Sequence, residues 1–349
     1  MLLLALTTLL AGTLSGGGAV ASVSTRADTN PLTGRWGVYA GSHDGVYPAW
    51  QSATGTEKKL LAKVALRPRV RWVGGWIPDR DIYDKLRADI RQQQHGDPDV
   101  LVPIAVFREF ANGESRRDEP ITRAQQDSYR RFVDNAARAI GRSRVMIVLE
   151  PDLAVGLKGW RPDVRLEMVS YASRVFGALP RTTVYLDASD ADWLKVPDAV
   201  SMLRKAGIEH VRGFALGATH YSSTRANIRY GAQIVAALAE AGVPRRHFVV
   251  DTADNGRPFT WPQYWAAHPR GDFDNAATCR SRADRRCVTL GIPPTTRVAA
   301  RRWGLGPEVR ELARRHVDAY AWFGRPWLIR QASPFSRART LQVARTTRW

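Results

Sequence analysis

The sequence predicts an α/β fold, a distorted parallel (β/α) barrel of about seven strands in a single domain. Three observations carry this. Short apolar runs alternate with amphipathic stretches along most of the chain. The apolar runs are unbroken rather than alternating, as expected for strands whose crossover helices cover both faces of a parallel sheet. Polar residues follow the runs directly: Glu109, Asp152, Asp187, Thr219-His220, Asp251 and Arg325. In a barrel these positions share one mouth, where active sites of this architecture lie, whereas a doubly wound open sheet would spread them along an edge.

The elements follow in order. Val70-Arg71-Trp72-Val73 reads as a strand before a helix from Ile82 to Gln94, and Leu101 to Phe107 precedes a helix from Gln125 to Ile140. Val145 to Leu149 leads to Arg165 to Leu179, Thr183 to Asp187 leads to Val196 to Ala206, and Gly213 to Leu216 leads to Arg225 to Ala241. The strand His247 to Asp251 precedes a long loop rich in Gly and Pro, and Ala319 to Phe323 is the last strand. Helices are assigned by apolar residues three and four apart, strands by short runs bounded by turn residues.

The N-terminus, Met1 to Ala11, is an apolar run too short to span a bilayer, followed by small residues ending Ala19-Val20-Ala21. We expect a secretory leader over residues 1–21, a flexible stretch over 22–29 and the barrel over 30–349, although no Lys or Arg precedes the apolar run. The expected location is extracellular, and no later segment reads as membrane-spanning. For an exported chain, Cys279 and Cys287, eight positions apart, are expected to form a local disulfide rather than a metal pair. The seven His lack a ligand spacing, so neither a metal nor another cofactor is expected. A formal net charge of +19 raises a polyanion partner. Yet only seven of the 52 basic residues are Lys, and no compact basic run is interleaved with aromatics. Nucleic acid and membrane are therefore not expected partners, and a monomer acting on a polysaccharide or oligosaccharide is.

Strand-end carboxylates flanked by Trp, Tyr and Phe are what a polysaccharide cleft requires: rings stack on sugars while paired acids protonate the leaving oxygen and guide water. The chain has no Gly-rich phosphate loop, no nucleophile elbow and no Cys paired with a His base. Five segments in order then resemble one family. They are Val148-Leu149-Glu150-Pro151-Asp152-Leu153; Tyr185-Leu186-Asp187-Ala188 with Trp193-Leu194; Arg212-Gly213-Phe214-Ala215 with Tyr221; Val250-Asp251-Thr252 with Asn255-Gly256; and Leu290-Gly291-Ile292-Pro293-Pro294-Thr295-Thr296. The chain resembles a divergent member of glycoside hydrolase family 6, the inverting endo-β-1,4-glucanases and cellobiohydrolases. The resemblance implies a distorted seven-stranded barrel with a cleft or tunnel across its C-terminal face.

It also implies roles for particular residues. Asp152 matches the family's aspartate after Glu-Pro, and Asp187 the aspartate of its Tyr-Leu-Asp-Ala segment. The family's general acid falls by offset within Ala111-Asn112-Gly113-Glu114-Ser115, making Glu114 the candidate and Glu109 and Asp118 the alternatives. Gly74 stands where an aspartate that raises the acid's pKa is expected, so Asp79 or Asp81 is the candidate substitute. The usual base, in a Gly-Glu-x-Asp segment after the last strand, has no counterpart, since no Asp or Glu follows Asp318. Three outcomes stay open: hydrolysis with water relayed to Asp152 or Asp79, an acidic glycan held by Arg325 and Arg330, or sugar binding without cleavage. Ser189-Asp190 replaces the family's Gly-His, and Gly217 replaces an Asn that usually contacts sugar. Substrate contacts are expected from Trp36, Tyr39, Trp76, Asp187, Trp193, His220, Tyr221 and Trp327, with Trp261 and Trp265 as further stacking candidates. The function expected is secreted, inverting hydrolysis of β-1,4-linked glucan by carboxylate acid/base catalysis. The alternatives are a carbohydrate-binding protein of the same fold and a cationic protein of the cell wall.

Overall fold

Parallel strands carry the architecture. The computed structural model describes residues 29–108 and 118–349. The leader expected over 1–21, Glu109 and Glu114 lie outside the described residues. The strands are β1 (Arg71–Gly74), β2 (Val102–Phe107), β3 (Val145–Leu149), β4 (Thr182–Asp187), β5 (Gly213–Leu216), β6 (His247–Asp251) and β7 (Val317–Ala321). They pair in chain order, all in parallel. The sheet curls until its edges meet: the Val70 N–H donates to the Trp322 carbonyl at 2.8 Å, and Arg69 bridges Trp322. Closure rests on this contact rather than on a full ladder, which makes the barrel distorted.

The helices are α1 (Val46–Ser52), α2 (Gly55–Ala65), α3 (Ile82–Gln94), α4 (Arg123–Ile140), α5 (Leu153–Gly156), α6 (Pro162–Gly177), α7 (Val196–Lys205), α8 (Thr224–Glu240), α9 (Trp261–Ala267), α10 (Pro307–His316) and α11 (Arg337–Thr346). Helix α4 starts at a capping box in which Thr122 and Gln125 satisfy each other's backbone N–H groups. Helix α10 is the crossover into β7 that the sequence pattern hides. Only Val309 and Ala313 are buried among its charged residues, so the periodicity is thin. The last strand starts earlier than expected, at Val317, and Trp322 leaves the ladder to close the barrel.

Successive strand residues face opposite sides. Val73, Ile104, Val106, Ile147, Leu149, Val184, Leu186, Phe214, Leu216 and Val250 pack outward with the helices. Trp72, Ala105, Met146, Val148, Tyr185, Ala215, Val249, Ala319 and Ala321 fill the interior. At the strand N-termini the interior is sealed by Asp318, which accepts from the Tyr185 hydroxyl at 2.7 Å and from Arg212 at 2.9 and 3.1 Å. The same period places Asp187 and Asp251, two residues beyond Tyr185 and Val249, inside the C-terminal mouth. The disulfide joins Cys279 to Cys287 in the long loop after β6. No helix among the described residues is long and apolar enough to cross a membrane.

Gly213 sets the approach of β5 to β6, because a Cβ there would lie 1.7 Å from the His247 carbonyl oxygen. Gly213→Ala should therefore force the two strands apart and cost about 3 kcal/mol or more, overpacking against backbone that cannot yield. Equilibrium denaturation tests this, and a loss below about 1 kcal/mol would contradict the geometry.

Candidate active site

The strand ends at the mouth are unusual in their backbone. Glu150, Asp152, Ser189 and Thr219, which follow β3, β4 and β5, have φ of 52°, 66°, 69° and 58°, as do Arg330 and Gln331 beyond β7 at 50° and 53°. Each such left-handed non-glycine residue costs about 1–3 kcal/mol unless its surroundings hold it. Here the turns aim side chains into a cleft of about 690 Å³ whose lining includes Asp152, Trp193, Thr219, His220, Trp261, Trp265, Phe273, Arg325 and Arg330.

Asp152 stands on the floor of this cleft and its Oδ1 accepts from the Thr219 hydroxyl at 3.3 Å. Its neighbour Glu150 turns away: it accepts the Arg108 N–H at 2.8 Å and the Tyr129 hydroxyl at 3.0 Å. Glu150 thus anchors the backbone at Arg108, just after β2. Asp187 lies behind Asp152, buried, accepting the Ser189 N–H at 3.1 Å while its Oδ1 meets no donor among the described residues. Burial, and then the charge of Asp152, hold its carboxyl well above the usual range.

A second group surrounds His220. Its ring stacks on Trp193 with centroids 5.4 Å apart, meets Phe273 edge-on, and places Nδ1 3.6 Å from Asp192. Burial opposes charge on the ring, but the contact with Asp192 and the charges of Asp190 and Asp152 outweigh it and push His220 up to about 9. Asp190, buried and bonded by Asn227, is pushed up to about 6, chiefly by burial. Ligand atoms of Asp190, Asp192 and His220 lie within 4.8 Å of one another. Their pairing as imidazolium and carboxylate, with Asp192 also accepting the Trp261 N–H at 2.5 Å, gives these groups partners without an ion.

A third group lies behind the floor. Asp251 accepts the Ala253 N–H at 2.9 Å and the Gly324 N–H, and burial pushes it up to about 7. Neither oxygen of the buried Asp254 has a hydrogen-bond donor; burial and then Asp251 hold it well above the usual range. A Cβ at Gly324 would meet both carboxyl groups within 2.9 Å, so only glycine fits between them and the following Arg325. Gln331 roofs the pair, donating to the Thr219 carbonyl and accepting the Arg325 N–H, both at 2.8 Å.

The structure brings Asp152, Trp193 and His220 together on the cleft, with Trp261 and Trp265 on its lining. Asp187 touches it only from behind. Asp79 lies on the loop before α3, ion-paired with Arg131 of α4 at 2.8 Å, and Trp76 nearby is half exposed. Trp36 pairs with Leu101 at the opposite, N-terminal end of the strands. Tyr39 and Trp327 line a smaller cavity beside the cleft, and Tyr221 is buried, donating to the Phe273 carbonyl. Sequence reasoning missed Trp72, Phe107 and Gln331 on the lining and the acidic partner Asp254. No local signal marks Gln331, whereas Asp254 sits inside the Val250 to Gly256 segment and was legible as a second carboxylate beside Asp251.

Comparisons place this geometry among known proteins. The family model described as Glycosyl hydrolases family 6 matches residues 38–326. Endoglucanase A of Cellulomonas fimi is 33% identical over 213 residues, 60% of this chain and 44% of that protein, so the match spans less than half of that relative. Endoglucanase 1 of Streptomyces halstedii is 28% identical over 235 residues, 65% and 71% of the two chains. The solved endoglucanase Cel6 of Mycobacterium tuberculosis, in complex with methyl-cellobiosyl-4-deoxy-4-thio-β-D-cellobioside, superposes with a TM-score of 0.67. It shares 23% identity, over 90% of this chain and 98% of that one, and so shows the fold.

The buried acids fix a pH dependence. Burial and Asp251 raise the folded Asp254 carboxyl well above the value near 4 that it has when unfolded. The folded state then holds more protons above about pH 4, and its contribution to stability falls as pH rises. Asp254→Asn removes that loss, so its melting temperature should gain on the wild type between about pH 5 and about pH 8. The raised His220 acts in the same direction at higher pH: its stabilisation is full below about 6.5 and lost through about 9. Thermal melts across pH test both, and a difference between Asp254→Asn and wild type that is constant with pH would refute the raised Asp254.

Proposed function

The chain belongs to glycosyl hydrolase family 6, and from that premise we propose that it is a secreted, inverting glycosidase cleaving β-1,4-linked glucan. The observation that carries the reading is Asp152 lining the cleft, bonded by Thr219 and backed by the buried Asp187, with indole rings on the walls. The endoglucanase names of the relatives and the cellobiose-derived ligand of the solved complex support the substrate class. The leader-like N-terminus and the disulfide support secretion.

In this reading Glu114 donates a proton to the glycosidic oxygen as the bond to the anomeric carbon breaks. A water attacks that carbon from the opposite face and yields its proton to Asp152, directly or through a second water. With no carboxylate after Asp318, Asp152 is the acid group best placed to accept it. Asp187 makes this workable: two adjacent carboxylates resist ionising together, and burial makes Asp187 the member that holds a proton more readily, which favours the anion on Asp152. Asp79, kept ionised by Arg131, is the second acceptor, reached through water from the loop beyond β1. Trp193, His220, Trp261 and Trp265 are the sugar contacts on the cleft, with Tyr39, Trp76 and Trp327 flanking it.

Glu114→Gln and Asp152→Asn should each lower kcat on soluble β-1,4-glucan by about 10²- to 10⁴-fold. Proton NMR of the first product should show the α anomer. Full activity of Glu114→Gln would sink the acid assignment, a β-anomeric product the inverting course, and glucan binding without new reducing ends the hydrolase itself.

A further inference from the structure

Among the described residues, no carboxylate pairs with the Arg325 guanidinium. It lies 3.9 Å from the centroid of the Trp72 ring, and its Nε is enclosed with no acceptor. Trp72 and Arg325 line both the main cleft and an adjoining cavity of about 100 Å³, so that pair stands at the boundary of the two spaces. Arg71, 3% exposed, lines the small cavity as well, and its Nη2 also lacks an acceptor.

The other charges there are spent. Asp44 accepts from Arg69 at 2.8 Å, Asp89 faces Arg71 at 3.0 Å, and burial with Arg71 pushes His43 down to about 4, leaving it neutral. Among the described residues that line the small cavity, Arg325 is the cation with no ion-pair partner; Asp152, across the main cleft, is the first of the carboxylates that act on it from a distance. Burying a charge without a partner is costly, and a guanidinium meets a carboxylate through paired N–H donors. The cavity has room for a planar substituent of a few atoms and not for a sugar ring.

We propose that this side cavity receives the carboxylate of an acidic sugar unit, so that the preferred substrate is a β-1,4-glucan carrying carboxyl groups, held by Arg325 with Arg71. The inference rests on the β-1,4-glucan reading above for the sugar backbone. It assigns to the chain a discrimination between charged and neutral chains that the cleft aromatics cannot supply, because stacking does not distinguish a hydroxymethyl from a carboxylate.

The test compares cellotetraose with cellotetraose oxidised to carboxylate at C6, using the intact protein, in calorimetry and in product release. The oxidised chain should bind about tenfold tighter at low salt, the size of a charge-assisted hydrogen bond, and lose most of that advantage at high ionic strength. Arg325→Gln should bring the ratio of the two affinities near one, while Arg325→Lys, which keeps the charge, retains part of it; circular dichroism checks that both fold. Cleavage of neutral cellotetraose with no preference for the oxidised form overturns this inference alone. A preference that survives in folded Arg325→Gln overturns it too. If neither sugar binds or is cleaved, both this inference and the hydrolase reading fall.

Discussion

The two-residue period of the parallel strands governs everything at the mouth of this barrel. Because β4 buries Tyr185 inside the barrel, Asp187 must follow on the same side, and because β6 buries Val249, Asp251 must do likewise. Once there, these carboxyl groups are out of water, and burial sets their protonation before any neighbour does. The left-handed turns at Glu150, Asp152, Ser189 and Thr219 then decide which of the next residues look into the cleft. Asp152 faces the cleft and Glu150 faces α4 because the backbone reverses between them.

The cleft carries its acids in three states. Asp152 is the partly exposed member, burial raises Asp187 and Asp254 well above the usual carboxylate range, and the contact with His220 lowers Asp192 against its burial. A row of carboxyl groups at successive strand ends is tolerable only because most of them are neutral or paired. Arg325 is the counterpoise beyond β7, where the chain carries no acid at all. Its position fits behind Gly324, whose missing side chain leaves room for Asp251 and Asp254.

Much of the fold was legible. The strand at Val145 to Leu149 matches β3 residue for residue, and the expected helix from Ile82 to Gln94 is α3 with the same bounds. Such segments are read correctly because burial on both faces of a strand, or on one stripe of a helix, leaves a plain apolar pattern. Helix α10 escaped because its two buried residues are too few to make a stripe. For the site, Asp152, Trp193 and His220 were found from their places after strands. Tyr221 and Trp36 share that aromatic character yet lie in the interior and at the far end of the strands. An aromatic residue that packs in a core and one that stacks on sugar look alike in sequence, since both follow from the same apolar area.

What the sequence by itself determined is the order of strands, the inward parity of their terminal carboxylates, the family and the absence of an acid after Asp318. Each is local or additive along the chain. What only the tertiary structure decided is which groups share space: Thr219 with Asp152, Gly324 with the Asp251 and Asp254 carboxyls, Arg325 with Trp72, and Gln331 over them all. Those meetings join residues separated by long stretches of chain. They are set by how β7 curls back to β1, a closure that rests on a few backbone contacts and leaves no periodic trace in the sequence.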